Sequence, residues 1–166
     1  MKSRDSAIKA VLKKSGDSYT EAQREKLIVL INDIMDFSAM SQTALGAYWE
    51  ELNENQKNEF VSDFSNLVKR SSVKKLNIFQ AVIEYKQVLL DGEKARVFTQ
   101  ATYERTRTNV DYELHRKNGR WLVTDFSIDD VSTAISYQKS FQRIMRKHGF
   151  SGLMERLKQK LADEGG

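Results

Sequence analysis

Apolar positions recur every three or four residues through the first half of the chain. They recur every second residue from Phe79, and helical spacing returns after Asp130. Residues 1–19 are polar and basic and read as a loose arm or a short helix around Ile8, Val11 and Leu12. The first firm helix starts at Thr20, which has capping-box spacing to Gln23. Leu27, Ile28, Leu30, Ile31, Ile34 and Met35 give it a wide apolar face. Asp36 is placed to cap a second helix, with Phe37, Met40, Ala44, Leu45 and Tyr48 at helical spacing and Trp49 following. Asn53 and Gln56 repeat the capping spacing and open a third helix. Its buried stripe is Phe60, Phe64, Leu67 and Val68, and Lys57, Glu59 and Asp63 form its solvated face.

Phe79 to Leu90 is rich in β-formers and predicts a strand with Ile83, Tyr85, Gln87 and Leu89 on one side. Asp91-Gly92 signals a hairpin, and Ala95, Val97, Thr99, Ala101 and Tyr103 alternate along the next strand. A basic connection with Arg105 and Arg107 leads to a third strand marked by Val110, Tyr112 and Leu114. Asn118-Gly119 is the strongest hairpin signal, and Trp121 to Ile128 is the fourth strand. The last long helix is expected to begin after Asp129-Asp130, an acidic start that suits the positive end of a helix dipole. Val131, Ala134, Ile135, Gln138, Phe141, Ile144 and Met145 then lie along its inner side, and Lys139, Arg143, Arg146 and Lys147 lie outside. Gly149 terminates it, and Ser151 caps a final helix carrying Leu153, Met154, Leu157 and Leu161. Four successive strands on short turns, with helices before and after, predict an α+β class with a four-stranded antiparallel sheet.

Composition narrows this little. The 166 residues favour one domain spanning 1–166, with 40% hydrophobic and 30% charged residues. No apolar run approaches the ~20 residues that span a bilayer. The start, Met1-Lys2-Ser3-Arg4-Asp5, lacks an apolar signal core, which fits either a cytosolic protein or a mature form with an added Met1. The absence of cysteine excludes disulfides and thiolate chemistry. The absence of proline suits long helices. A net charge of +4 permits anionic lipid or acidic protein partners without demanding nucleic acid, and the aromatics follow core periodicity instead of interleaving with the basic stretches.

Candidate chemistry is sparse. Asp111, Glu113 and His115 share one face of a strand and offer oxygen and nitrogen ligands, but alternation alone predicts a polar outer face there. His148 beside Gly149 complements a helix C-terminus. No G-x-S-x-G elbow or phosphate-binding glycine pattern occurs. Asp125 is a carboxylate that a cone-shaped α+β enzyme would use, though such a residue more often caps a turn or pairs with a nearby base. Without a convergent site, the chain reads as a non-enzyme. A sheet that curls away from its helices leaves an apolar cavity that an acyl chain would fill, at roughly 0.8 kcal/mol per buried CH₂.

Two segments resemble the MlaC family, the toluene-tolerance auxiliary family of periplasmic phospholipid-binding proteins. In Met35 to Ser71 the matching residues are Asp36, Phe37, Met40, Leu45, Gly46, Tyr48, Trp49, Gln56, Phe60, Phe64, Leu67 and Arg70. In Asn118 to Leu161 they are Gly119, Trp121, Val123, Asp125, Val131, Ser132, Tyr137, Phe141, Gly149, Gly152, Leu153 and Leu157. The chain departs from the family pattern at Asp130, where glycine is frequent, and at Ser72, where tyrosine is common. The resemblance implies a cone, cystatin-like or nuclear-transport-factor-like, with a curved sheet covered by helices and an apolar cavity between them. It implies a soluble periplasmic carrier, with a monomer as the expected state, phospholipid as ligand and no cofactor. Its implied partners are an inner-membrane MCE-protein/ABC-transporter complex and an outer-membrane lipoprotein–porin complex. The cavity-facing candidates are Phe37, Met40, Tyr48, Phe64, Val68, Tyr112, Leu114, Val123, Ile135 and Phe141, with Arg105 and Arg107 as headgroup or partner contacts. A sterol or hopanoid is the alternative ligand.

Overall fold

The structure, a computed structural model, describes residues 33–74 and 81–163. The arm at 1–19, the Thr20 helix start with its apolar face through Ile31, and Phe79 lie outside the described residues. Ile34 and Met35, expected at the end of that helix, instead run beside the sheet. The Asp36 N–H donates to the Val123 carbonyl at 2.8 Å, and the Val123 N–H donates to the Ile34 carbonyl at 2.7 Å. This short parallel bridge covers one end of an open strand edge.

Helix α1 (Phe37–Leu45) is capped by Asp36, whose Oδ1 accepts from the Ala39 N–H at 3.0 Å. A 3₁₀ turn (Gly46–Trp49) follows. Helix α2 (Glu54–Lys74) opens on the reciprocal box read from sequence. The Asn53 N–H donates to Gln56 Oε1 at 3.1 Å, and the Gln56 N–H donates to Asn53 Oδ1 at 3.0 Å. The apolar stripe Phe60, Phe64, Leu67 and Val68 is buried.

The strands are β1 (Val82–Asp91), β2 (Lys94–Tyr103), β3 (Thr106–Lys117), β4 (Arg120–Ile128) and β5 (Val131–Ser132), in the antiparallel order β1-β2-β3-β4-β5. The fifth strand adds two residues to the four expected. It exists because Asp129 and Asp130 do not begin a helix: both have positive φ, 46° and 65°, and turn the chain back onto β4. Asp129 is pinned there by its side chain, which accepts from the Asn109 N–H at 2.9 Å. Asn118 and Gly119, both at positive φ, form the two-residue turn that their sequence signals. The Asp91-Gly92 signal is displaced by one residue, since Asp91 still pairs with Lys94 and the turn is Gly92-Glu93.

Between Tyr85 and Gln87 the register of β1 shifts, leaving Lys86 without a partner. The bulge reverses the parity beyond it. Val88 and Leu90 therefore oppose Val97 and Ala95, while Gln87 and Leu89 turn to the other face, contrary to the simple alternation. A second shift between Glu113 and Leu114 bends β3–β4. Bulges of this kind curve an antiparallel sheet.

Helix α3 (Thr133–Asp163) starts two residues later than expected. Gly149, at φ 65° and ψ −170°, kinks it, and the final segment buries Leu153, Met154 and Leu157. Only glycine takes that backbone conformation cheaply. Gly149 separates two helical segments as the sequence predicts, but the second resumes directly after it, ahead of the expected Ser151 cap. Arg70 Nη1 in α2 donates to the Leu161 carbonyl at 2.7 Å, and Lys158 Nζ meets Glu59 Oε1 at 2.6 Å, tying the end of α3 to α2. The three helices share one core around Met40, Leu45, Phe60, Phe64, Leu67, Phe141 and Leu153.

Candidate functional site

The residues expected around one cavity fall into two groups. Met40, Phe64, Val68 and Phe141 are buried in the helical core, with Phe37 and Tyr48 half-buried against it. Phe64 lies between rings: its centroid is 5.4 Å from Phe60, 5.0 Å from Tyr137 and 5.5 Å from Phe141. Leu114 and Val123 are buried with Val97 in a separate cluster on the sheet, and Tyr112 packs against it. Ile135, expected inward, is 41% exposed. The helix starts at Thr133, and its buried stripe runs through Ala134, Phe141 and Met145, which turns Ile135 outward. Val131 also faces out, at 61% exposed, from β5.

The sheet face was only partly read from the candidate list. Ala81, Ala101 and Val110 form a further buried cluster, joined at its margin by Ile83, Tyr103 and Tyr112. Alternation along β2 already marks Val97, Thr99 and Ala101 as one face, and all three are buried. The side chains of this wall are mostly small: alanine, valine and threonine. Three tyrosines, Tyr85, Tyr103 and Tyr112, edge it. Arg105 lies in the tight turn between β2 and β3, and Arg107 is inside β3 opposite Thr102; both are exposed. The basic connection is therefore the tip of a hairpin, with Arg107 already in the strand.

The carboxylates are structurally engaged. Buried Asp125 accepts through Oδ1 from the N–H groups of Phe126 (2.8 Å) and Ala134 (3.0 Å), and through Oδ2 from the Ser132 hydroxyl. Ser132 Oγ in turn accepts from the Ile135 N–H at 3.0 Å. Asp125 and Ser132 together satisfy the first turn of α3, so this carboxylate serves as a helix anchor.

His115 does not gather with Asp111 and Glu113. Its Nε2 lies 3.0 Å from Asp36 Oδ2, to which Lys117 Nζ also donates at 2.9 Å. Glu113 instead faces Arg96 at 3.9 Å. Among the described residues no group of three or more histidine, aspartate or glutamate side chains could hold a metal. Burial pushes the Asp36 carboxyl up, but the Ala39 N–H, Lys117 and His115 outweigh it and hold the group below the ordinary carboxylate range. A depressed folded-state value means stabilisation that is complete above the unfolded carboxylate pKa of about 4 and is lost as pH falls through the folded value. Asp36→Asn keeps a good helix cap but removes the charge. It is expected to lower stability by about 1–2 kcal/mol at neutral pH, with the gap to the wild type closing below about pH 4 in urea titrations.

Two concavities open on α3. One, of 360 Å³, is floored by Leu67, Phe141, Ile144, Leu153 and Leu157 and rimmed by Arg156 and Lys160. The other, of 330 Å³, is lined by Tyr48, Gln142 and cationic side chains. No helix among the described residues is long and apolar enough to cross a membrane.

A family model described as MlaC protein matches residues 2–159. The chain belongs to the MlaC family. No curated protein matches it. Among solved structures, the phospholipid-binding protein from Ralstonia solanacearum, in complex with a phospholipid, superposes with a TM-score of 0.89 at 21% identity. The alignment covers 99% of this chain and 96% of that one. The α+β architecture with a curved antiparallel sheet is therefore shared with a known MlaC-like fold, at an identity that speaks for the fold alone.

Proposed function

We propose that this MlaC-family chain binds a phospholipid and carries it between membranes without catalysing a reaction on it. The observation that carries this reading is the buried sheet face, whose small apolar side chains Val97, Ala101 and Val110 continue into Leu114 and Val123. Small side chains on a curved wall give an acyl chain a surface to lie against once it displaces what covers the face. The near full-length likeness to a fold solved with phospholipid supports the same choice of ligand. Tyr112, Leu114 and Val123 serve as wall residues. Phe37, Met40, Tyr48, Phe64, Val68 and Phe141 form the packed helical backing that holds the wall's cover in place. Arg105 and Arg107 are the headgroup or partner contacts.

Shielding the tails sets the energetics. At roughly 0.8 kcal/mol per buried CH₂, an acyl chain in water is far more costly than one against this wall, so the carrier lowers the barrier for crossing an aqueous compartment. That compartment is the periplasm. The carrier moves between an outer-membrane lipoprotein–porin complex and an inner-membrane MCE-protein/ABC-transporter complex. Transfer of a fluorescent phospholipid from donor to acceptor vesicles tests the carrier role. The rate is expected to rise in proportion to protein concentration; a rate equal to that of protein-free buffer would exclude it. Exchange of a labelled sterol but not of phospholipid would redirect the ligand assignment.

A further inference from the structure

Lys139, Arg143, Arg146 and Lys147 follow one another at spacings of four, three and one along α3, so they project from one side of the helix. All four are exposed, and none makes a hydrogen bond or ion pair among the described residues. Several cations elsewhere are compensated: Lys117 by Asp36, Arg120 by Asp33, Arg116 by Glu93 and Lys158 by Glu59. The four line a groove of 330 Å³, closed on its other side by Tyr48 and completed by Gln142.

The groove is held by close packing. Gly46, at φ 59°, begins the 3₁₀ turn that carries Tyr48, and a Cβ there would lie 2.8 Å from Gln138 Nε2 and 2.9 Å from Gln142 Nε2. Gln138 Nε2 also donates to the Thr43 carbonyl at 2.9 Å, fixing α1 to α3. The charged concavity is thus mounted on packed elements, and α3 buries Ala134, Phe141 and Met145 in the core. No carboxylate lines it.

We propose that this groove seats the phosphate of an anionic lipid headgroup and so docks the protein on an anionic bilayer surface. Two guanidinium forks, two ammonium groups and a phenol hydroxyl match the oxygens of a phosphate diester. The choice of a bilayer over an acidic protein rests on the residue one turn before Lys139 on the same row. That residue is the exposed Ile135, and exposed Val131 stands just ahead of the helix. Apolar side chains beside a row of cations are what an element lying at a membrane interface presents. This assignment does not depend on lipid occupying the sheet face.

Vesicle flotation tests it, with phosphatidylcholine vesicles made with and without phosphatidylglycerol. The wild type is expected to float only with the anionic vesicles and to be released by raised salt. Each cation near such a surface contributes roughly a fivefold gain in partitioning, so Arg143→Gln/Arg146→Gln/Lys147→Gln is expected to lose at least about tenfold. The charge-matched variant Lys86→Gln/Lys94→Gln/Arg116→Gln, on β1, β2 and β3 and outside the groove lining, is expected to keep nearly all binding. Unchanged melting temperatures establish that both variants are folded. The single variant Arg146→Gln, with a several-fold loss, supplies the same answer if the triple variant misfolds. Equal losses in the two triple variants, no flotation of the wild type, or binding of soluble polyglutamate or glycerol phosphate without vesicle binding would each overturn the proposal.

Discussion

Phe64→Ala is expected to lower the unfolding free energy by about 4 kcal/mol, within the range for deleting a buried phenylalanine. Phe64 is fully buried, and its ring touches Phe60 from the same helix and Tyr137 and Phe141 from α3. The substitution removes both the ring's transfer energy and the aromatic contacts that join two helices, and leaves a void that fixed rings on three sides cannot close. Against a typical total of 5–15 kcal/mol, such a loss brings the fold near its limit. Urea denaturation should show a lower midpoint with an unchanged slope. A loss below about 1 kcal/mol would mean that the ring lines an open chamber instead of the packed helical backing.

Ala101→Trp addresses the opposite surface. Ala101 is buried in the middle of the wall, clustered with Ala81 and Val110. If the wall faces an acyl chain, the indole occupies the ligand's place. Stability then changes little, while phospholipid recovered from the purified variant falls at least about tenfold. If the face is packed solid, the added rings force side chains off their rotamers and cost about 1–3 kcal/mol or more, with lipid content unchanged. Paired measurements of melting temperature and extracted lipid separate the two outcomes.

Much of the local chemistry was legible in the sequence, although the Asp91-Gly92 turn slipped by one residue and the Ser151 cap did not form. The Asp36 cap, the Asn53–Gln56 box and the Asn118-Gly119 turn form as their spacing requires. Legibility stopped where one residue shifts a pattern. Nothing in the β1 sequence marks Lys86 as a bulge, yet it moves Gln87 and Leu89 to the other face. Two consecutive aspartates suit a helix start as well as a left-handed turn, and the long-range bond between Asp129 and Asn109 decides for the turn. That decision delays α3 and exposes Ile135. The Asp36–His115 pair spans 79 positions, so no spacing rule could have found it. The small-residue wall was visible in the alternation of β2, but alternation alone does not say what a buried face is buried against.

Organic extraction of the purified protein, followed by mass spectrometry, tests the central claim most directly. The account predicts phospholipid in stoichiometric amount, retained through gel filtration and depleted in Ala101→Trp. An extract without phospholipid, from protein that also takes up none from labelled vesicles, would contradict it.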